Sequence, residues 1–236
     1  MKILAVDSSG LVASVAYLED GVIKGVNSIN YQKTHSQTLL PMLDELVKNL
    51  NIDLKSIDCI AVANGPGSFT GLRIGVATVK GLGLSINKPL VGVSTLEALA
   101  LNFVGVSGVV CPIMDARRNQ VYTAAYKYKE NLPETDVIIE PTSLETDELC
   151  AKLNEIGEAV YFTGDGVPVY KDFIEKNLKV PFYFPIASNG YQNAASVAVL
   201  GEYYANKNMA VNASELSPVY LRKPQAERER EEMLND

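Results

Sequence analysis

The run Asn64-Gly-Pro-Gly-Ser-Phe-Thr-Gly-Leu-Arg73 constrains the fold of this chain more than any other segment. It follows an apolar stretch, Cys59–Ala63, that reads as a buried strand, and it opens a second one, Leu72–Ile86, that reads as a helix. A strand, a glycine-rich turn and a helix in succession form the setting in which backbone N–H groups cradle phosphate. The spacing fits neither common nucleotide fingerprint. No Lys follows the second Gly, as a P-loop requires, and there is no G-x-G-x-x-G. Two readings stay open. Gly65 and Gly67 hold a phosphate, or the glycines permit a tight turn and close packing of helix on sheet.

The chain has 236 residues, 47% hydrophobic and 21% charged, enough for one large domain or two small ones with a substantial core. Its net charge of −7 argues against strong RNA binding by the chain alone, because such affinity comes from clustered Lys and Arg. Cys59, Cys111 and Cys150 lie far apart in or beside apolar segments, the pattern of buried free thiols in a reducing compartment. Lys2–Val6 runs directly into Asp7 without the pattern of a signal peptide, and no apolar run approaches the roughly 20 residues that span a bilayer. A cytoplasmic protein without membrane contact is expected.

The first half reads as strands at Lys2–Val6, Val12–Leu18 and Val22–Asn30, with a hairpin turn at Glu19-Asp20-Gly21. Thr34 and Gln37 form a capping box for a helix to about Asn49, which contains Pro41. After the glycine loop and its helix come a strand at Leu90–Val93 and a second capping box, Ser94 and Glu97. The second half reads as strands at Val109–Met114, Val121–Tyr128, Val137–Glu140 and Ala159–Thr163. A third capping box, Thr142 and Glu145, is expected to start a helix to about Ile156, and Ala194–Asn206 reads as another. Hairpins followed by alternating helix and strand, twice over, indicate an α/β protein of two related domains, 1–105 and 106–236. The final segment is expected to pack back on the first domain, ahead of a solvated charged tail from Gln225 to Asp236.

Six motifs together carry a resemblance: Asp7-Ser-Ser9, the glycine loop, Gly92-Val-Ser-Thr-Leu-Glu97, Met114-Asp-Ala-Arg-Arg118, Gly164-Asp-Gly166 and Pro218-Val-Tyr-Leu-Arg-Lys-Pro224. From residue 1 to about 227 the chain resembles the TsaB (YeaZ) family of bacterial tRNA threonylcarbamoyladenosine biosynthesis proteins. The resemblance implies two domains of the actin-like, ribonuclease-H-like ATPase type. It also implies a heterodimer with TsaD, the paralogue carrying the transfer site, working with a TsaE-type ATPase on tRNA that is reached through the complex. TsaD-type proteins hold a metal through two histidines four residues apart; the matching positions here are Thr95 and Leu99. A hydroxyl and an isobutyl group cannot replace two imidazoles. No catalytic residue, metal or cofactor is therefore expected. A serine activated by His35, the single histidine, is the formal exception.

The remaining polar residues keep two readings each. Asp7 orders a metal-bound water beside a phosphate, or Asp7 and Ser8 end a strand through an Asx-type turn. With Gly65 and Gly67 they make up a vestigial nucleotide site on the first reading. His35 and Ser36 meet a partner or lie in a solvated capping region, and Arg117 and Arg118 meet an acidic partner or stay surface charges.

The two long helices offer a lead to pairing. Gly75, Gly81 and Gly83 lie inside the second, each costing about 1 kcal/mol against Ala. Both helices carry more apolar positions than one stripe needs, which suggests a docking platform formed by Leu39, Leu43, Leu72, Val76 and Val79 with Lys80 at its rim. A non-catalytic subunit that pairs with a TsaD-like protein is expected, with a homodimer available when it is alone. The alternative is an independent ATPase or phosphotransferase using Asp7 and the glycine loop.

Overall fold

The structure is a computed structural model and describes residues 1–31 and 34–222. The charged tail from Gln225 onward lies outside the described residues, as do Lys223 and Pro224 of the last motif.

Two five-stranded sheets are built on one plan. In the first, β1 (Lys2–Asp7), β2 (Ala13–Glu19) and β3 (Val22–Ile29) form an antiparallel meander. Helix α1 (His35–Asn49) then leads to β4 (Cys59–Gly65), and α2 (Phe69–Ile86) leads to β5 (Leu90–Ser94). Both later strands run parallel to β1, giving the order β3-β2-β1-β4-β5. After α3 (Thr95–Ala100) the plan repeats with β6 (Val109–Asp115), β7 (Gln120–Tyr128) and β8 (Thr135–Glu145). Next come α4 (Thr146–Ile156), β9 (Val160–Thr163), α5 (Val167–Asn177) and β10 (Phe182–Tyr183), in the order β8-β7-β6-β9-β10. Helix α6 (Ala194–Asn206) follows.

Strands covered on both faces read as unbroken apolar runs rather than alternating ones. In β1, Leu4 and Val6 pack under α1 and α2, while Ile3 and Ala5 pack under α6. The chain thus returns to its first sheet after completing the second. Gly201 of α6 sits so close to β4 that a Cβ there would come within 2.5 Å of the Ala61 Cβ. Beyond α6, Val211 bridges to Leu90, and Ala213 and Leu216 are buried with α1 and α2. The second sheet is covered by α4 and α5 on one face, and α3 lies against Val110, Met114 and Tyr126 on the other.

Two expectations require correction, and two elements were not foreseen. Thr142 and Glu145 do not form a capping box: both belong to β8, where Glu145 pairs with Gln120, and α4 starts directly from the strand end. Thr34 precedes α1 but gives no side-chain cap; its carbonyl accepts from the Gln37 N–H instead. Helix α5 and strand β10 went unread. Their signal was a Pro at the helix start and the buried spacing Val167, Tyr170, Ile174.

Two glycines of α2 answer to opposite constraints. A Cβ on Gly71 would lie 2.1 Å from the Ser8 carbonyl oxygen, whereas one on Gly81 would meet nothing within 4 Å. Gly71→Ala should therefore destabilise the protein by about 1–3 kcal/mol through overpacking against backbone. Gly81→Ala should stabilise it by up to about 1 kcal/mol through helix propensity. Urea denaturation of both variants checks the opposite signs.

Candidate functional site

The ends of β1 and β6, the glycine loop and the C-terminal segment meet in a cleft of about 740 Å³ between the two sheets. Beneath its floor of Ser9 and Gly10 lies Asp7, fully buried at the end of β1. Asp7 Oδ1 accepts from the Ser9 N–H at 2.9 Å and the Ser9 hydroxyl at 2.6 Å, an Asx turn. Its Oδ2 has no partner among the described residues. Burial pushes the Asp7 carboxyl from 3.8 up to about 6; the Ser9 bonds and His35 oppose that shift, and Asp165 adds to it. Four more buried polar atoms near this floor are unpartnered among the described residues: Nδ1 of His35, Oδ1 of Asp165, and both amide atoms of Gln192.

The glycine loop closes on this turn from above. Gly65 and Gly67 have φ of +136° and +159°, and a Cβ on them would come within 2.1 Å of the Val219 carbonyl and 2.2 Å of the Ser9 carbonyl. The Ser68 N–H donates to that Ser9 oxygen at 2.7 Å, and the Ser68 side chain caps α2 through the Gly71 N–H. Ser8 is buried and gives its hydroxyl to the Gly71 carbonyl at 2.9 Å. Backbone approach thus accounts for the need for glycine at 65 and 67, and the Ser68 and Gly71 N–H groups are engaged within the chain.

The C-terminal segment straps the cleft. Val219 N–H donates to Asn64 O, the Tyr220 ring lies tilted against Phe69 with centroids 4.7 Å apart and its hydroxyl accepts from Arg73, and Arg222 donates to the Ala116 carbonyl of the second unit at 2.9 Å. On that side Arg117, Arg118 and Asn119 all take left-handed φ in the turn after β6, where Asp115 accepts from the Arg117 N–H and from Tyr170. Sequence reasoning gave no role to Gln192, Tyr220 and Arg222; the Pro218–Pro224 motif held the last two, and no motif held Gln192.

Several site expectations change. Leu39, Leu43, Leu72, Val76 and Val79 are all buried against the sheet and form no exposed platform. Lys80 is not a free rim residue, because its ammonium donates to the Leu216 and Ser214 carbonyls. The outward faces carry Leu40, 58% exposed, on α1 and Arg73, Ala77, Gly81 and Leu84 on α2. His35 Nε2 contacts the Gly10 carbonyl at 2.8 Å, and both nearby serine hydroxyls are engaged elsewhere, so no serine–histidine pair is assembled. Thr95 and Leu99 are core residues, and among the described residues no group of three or more His, Cys, Asp or Glu could hold a metal. The three thiols are free and buried, Cys59 and Cys111 pushed up to about 12 by burial. Among the described residues no helix is long and apolar enough to cross a membrane.

Paired sheets of identical strand order facing one another across a cleft define the actin-like ATPase-type fold. A ROK hexokinase from Thermus thermophilus shares it at TM-score 0.50 and 10% identity, over 87% of this chain and all of that one. YeaZ from Pseudomonas aeruginosa lies nearer, with TM-score 0.76 and 25% identity over 93% of this chain and 99% of that one. The family model "TsaD: tRNA N6-adenosine threonylcarbamoyltransferase" matches residues 18–230. The tRNA threonylcarbamoyladenosine biosynthesis protein TsaB of Bacillus subtilis is 34% identical over 96% of both chains, and that of Haemophilus influenzae 29% over 94% of both. The chain belongs to the TsaB family of tRNA threonylcarbamoyladenosine biosynthesis proteins, within the wider TsaD-like group.

The elevated Asp7 carboxyl makes stability depend on pH. Between 3.8 and about 6 the folded state holds a proton that the unfolded state has released, so this contribution is lost as pH rises through that window. Its size is on the order of 3 kcal/mol. Urea denaturation of wild type and Asp7→Asn should show the variant gaining on wild type from pH 4 to pH 7. A constant difference across that range would place the Asp7 carboxyl near its ordinary value.

Proposed function

We propose that this chain is a non-catalytic subunit that pairs with a TsaD-like catalytic protein and is required for threonylcarbamoyladenosine formation on tRNA, with a TsaE-like ATPase in the same machinery. The observation that carries this reading is the state of the residues that would do chemistry. Ser8, Ser9 and His35 are each engaged in hydrogen bonds within the chain, and Thr95 and Leu99, the positions that the resemblance matches to the TsaD-type histidines, are buried core residues. The net charge of −7 agrees with tRNA being held by the partner.

Pairing is assigned to the outward face of α1 and α2. Leu40 and Leu84 are exposed there, and Ala77 and Gly81 present almost no side chain, so another helix can approach closely. The same face can pair two copies when the catalytic protein is absent. A second reading, weak nucleotide binding in the cleft, is favoured by the unpartnered Oδ2 of Asp7 and opposed by the strap across it. Nucleotide titration of the isolated chain separates the two.

Reconstitution tests the function: tRNA modification should require this chain together with its TsaD-like partner, and the chain alone should show neither modification nor ATP turnover. Ala77→Glu should melt like wild type yet lose co-purification with the partner and, with it, modification. Val76→Glu should be destabilised by several kcal/mol instead, because it buries an unpaired charge. Pairing that survives Leu40→Glu, Ala77→Glu and Leu84→Glu in folded protein would move the interface elsewhere.

A further inference from the structure

Helix α2 carries two charged residues, Arg73 and Lys80. Lys80 is turned to the C-terminal segment, where its ammonium donates to the Leu216 and Ser214 carbonyls. Arg73 is exposed and heads a line of outward residues one turn apart, Arg73, Ala77 and Gly81, with Leu84 at its end. It is the single charge on a stripe of α2 that is otherwise apolar or small.

The Arg73 guanidinium is held in place without being neutralised. Phe69 lies one turn earlier on the same side of the helix, and the guanidinium carbon sits 3.9 Å from its ring centroid. Nε donates to the Tyr220 hydroxyl at 3.1 Å, and the Tyr220 ring rests against Phe69 with centroids 4.7 Å apart. Both contacts are to neutral aromatic side chains. Among the described residues Arg73 forms no ion pair, and the N–H groups of its two terminal nitrogens carry no hydrogen bond. The outward acids of α1 are engaged elsewhere: Asp44 pairs with Lys48 at 2.7 Å, and Glu45 accepts from Asn27 at 3.2 Å.

A long side chain loses rotamer freedom when it binds, and here the ring and the Tyr220 bond already restrict that freedom. The planar pair of terminal N–H donors matches the two oxygens of a carboxylate. An arginine fixed beside small and apolar neighbours is the setting in which interfaces concentrate their binding energy. A phosphate of RNA has similar geometry, but a chain of net charge −7 disfavours it.

We propose that Arg73 receives a carboxylate, an Asp or Glu side chain of the TsaD-like partner, when that protein docks on the outward face of α1 and α2. This rests on the pairing assigned to that face. Tyr220 is then a positioning residue, through which the C-terminal strap sets the angle of an interface side chain on α2.

Calorimetric titration of the full-length chain with its TsaD-like partner tests this. Arg73→Ala should stay folded, because the side chain is exposed, and should weaken binding about ten- to a hundredfold. Arg73→Lys should recover only part of that loss, since an ammonium keeps the charge but not the fork. Tyr220→Phe keeps the ring on Phe69 and removes the hydroxyl, and should weaken binding about three- to tenfold. Arg73→Glu should abolish binding, and one acid-to-lysine change on the partner's surface should restore it, a rescue that a merely structural role would not give. Wild-type binding that Ala77→Glu abolishes and Arg73→Ala leaves unchanged would overturn the carboxylate contact and leave the pairing standing; no wild-type binding would remove both. Salt-dependent tRNA binding by the isolated chain that Arg73→Ala removes would assign a phosphate instead. A self-dimer that Arg73→Glu dissociates, with affinity for the partner unchanged, would assign a second copy. Either result overturns the proposal.

Discussion

The contact on which the rest of the molecule depends is the approach of two backbones without side chains between them. The carbonyls of Ser8 and Ser9 sit where Cβ atoms of Gly71 and Gly67 would be, and Ser8 and Ser68 tie the two segments with hydrogen bonds. This seats the first turn of α2 directly on the end of β1. The pitch and rotation of α2 follow from that anchor, and with them which stripe is buried and which faces out. Gly75, whose Cβ would crowd the Ser8 hydroxyl, continues the same seam one turn on. The glycine loop thus rests on the chain's own β1–β2 turn.

The cleft beneath that seam retains charge without evident compensation. Asp7 is buried with one oxygen unpartnered among the described residues, and Asp165 adds like charge from the second unit. Buried polar groups left in this way cost stability, so their presence marks a site whose polarity is not explained by folding alone. The strap from Val219 to Arg222 restricts access to it. It joins the glycine loop to the β6–β7 turn, linking first and second units through the last described residues of the chain.

That strap and α6 also make the two units interdependent. The first sheet lacks a cover on its Ile3 and Ala5 face until α6 returns to it, so its core is completed by residues that follow the whole second sheet. Lys80 reinforces the return by holding the Ser214 and Leu216 carbonyls against α2.

Much of the architecture was legible from local signals. The hairpin at Glu19–Gly21, the β4–loop–α2 succession and α6 could be placed because period and turn chemistry are local properties. Helix α5 was passed over because its stripe, Val167, Tyr170 and Ile174, stands in a charged segment, and the Thr142 cap was misread because the same residues serve as the end of a long strand. The outward-facing positions of α2 were illegible for a different reason. In α2 both the inner stripe, Leu72, Val76 and Val79, and the outer one, Ala77, Gly81 and Leu84, are apolar or small, so sequence period alone cannot choose between them. The sequence by itself determined the order of most elements and the family. Only the tertiary structure decided which apolar face was covered, that the loop glycines meet backbone, and that Arg222 bonds to the Ala116 carbonyl, because each depends on residues brought together from distant parts of the chain.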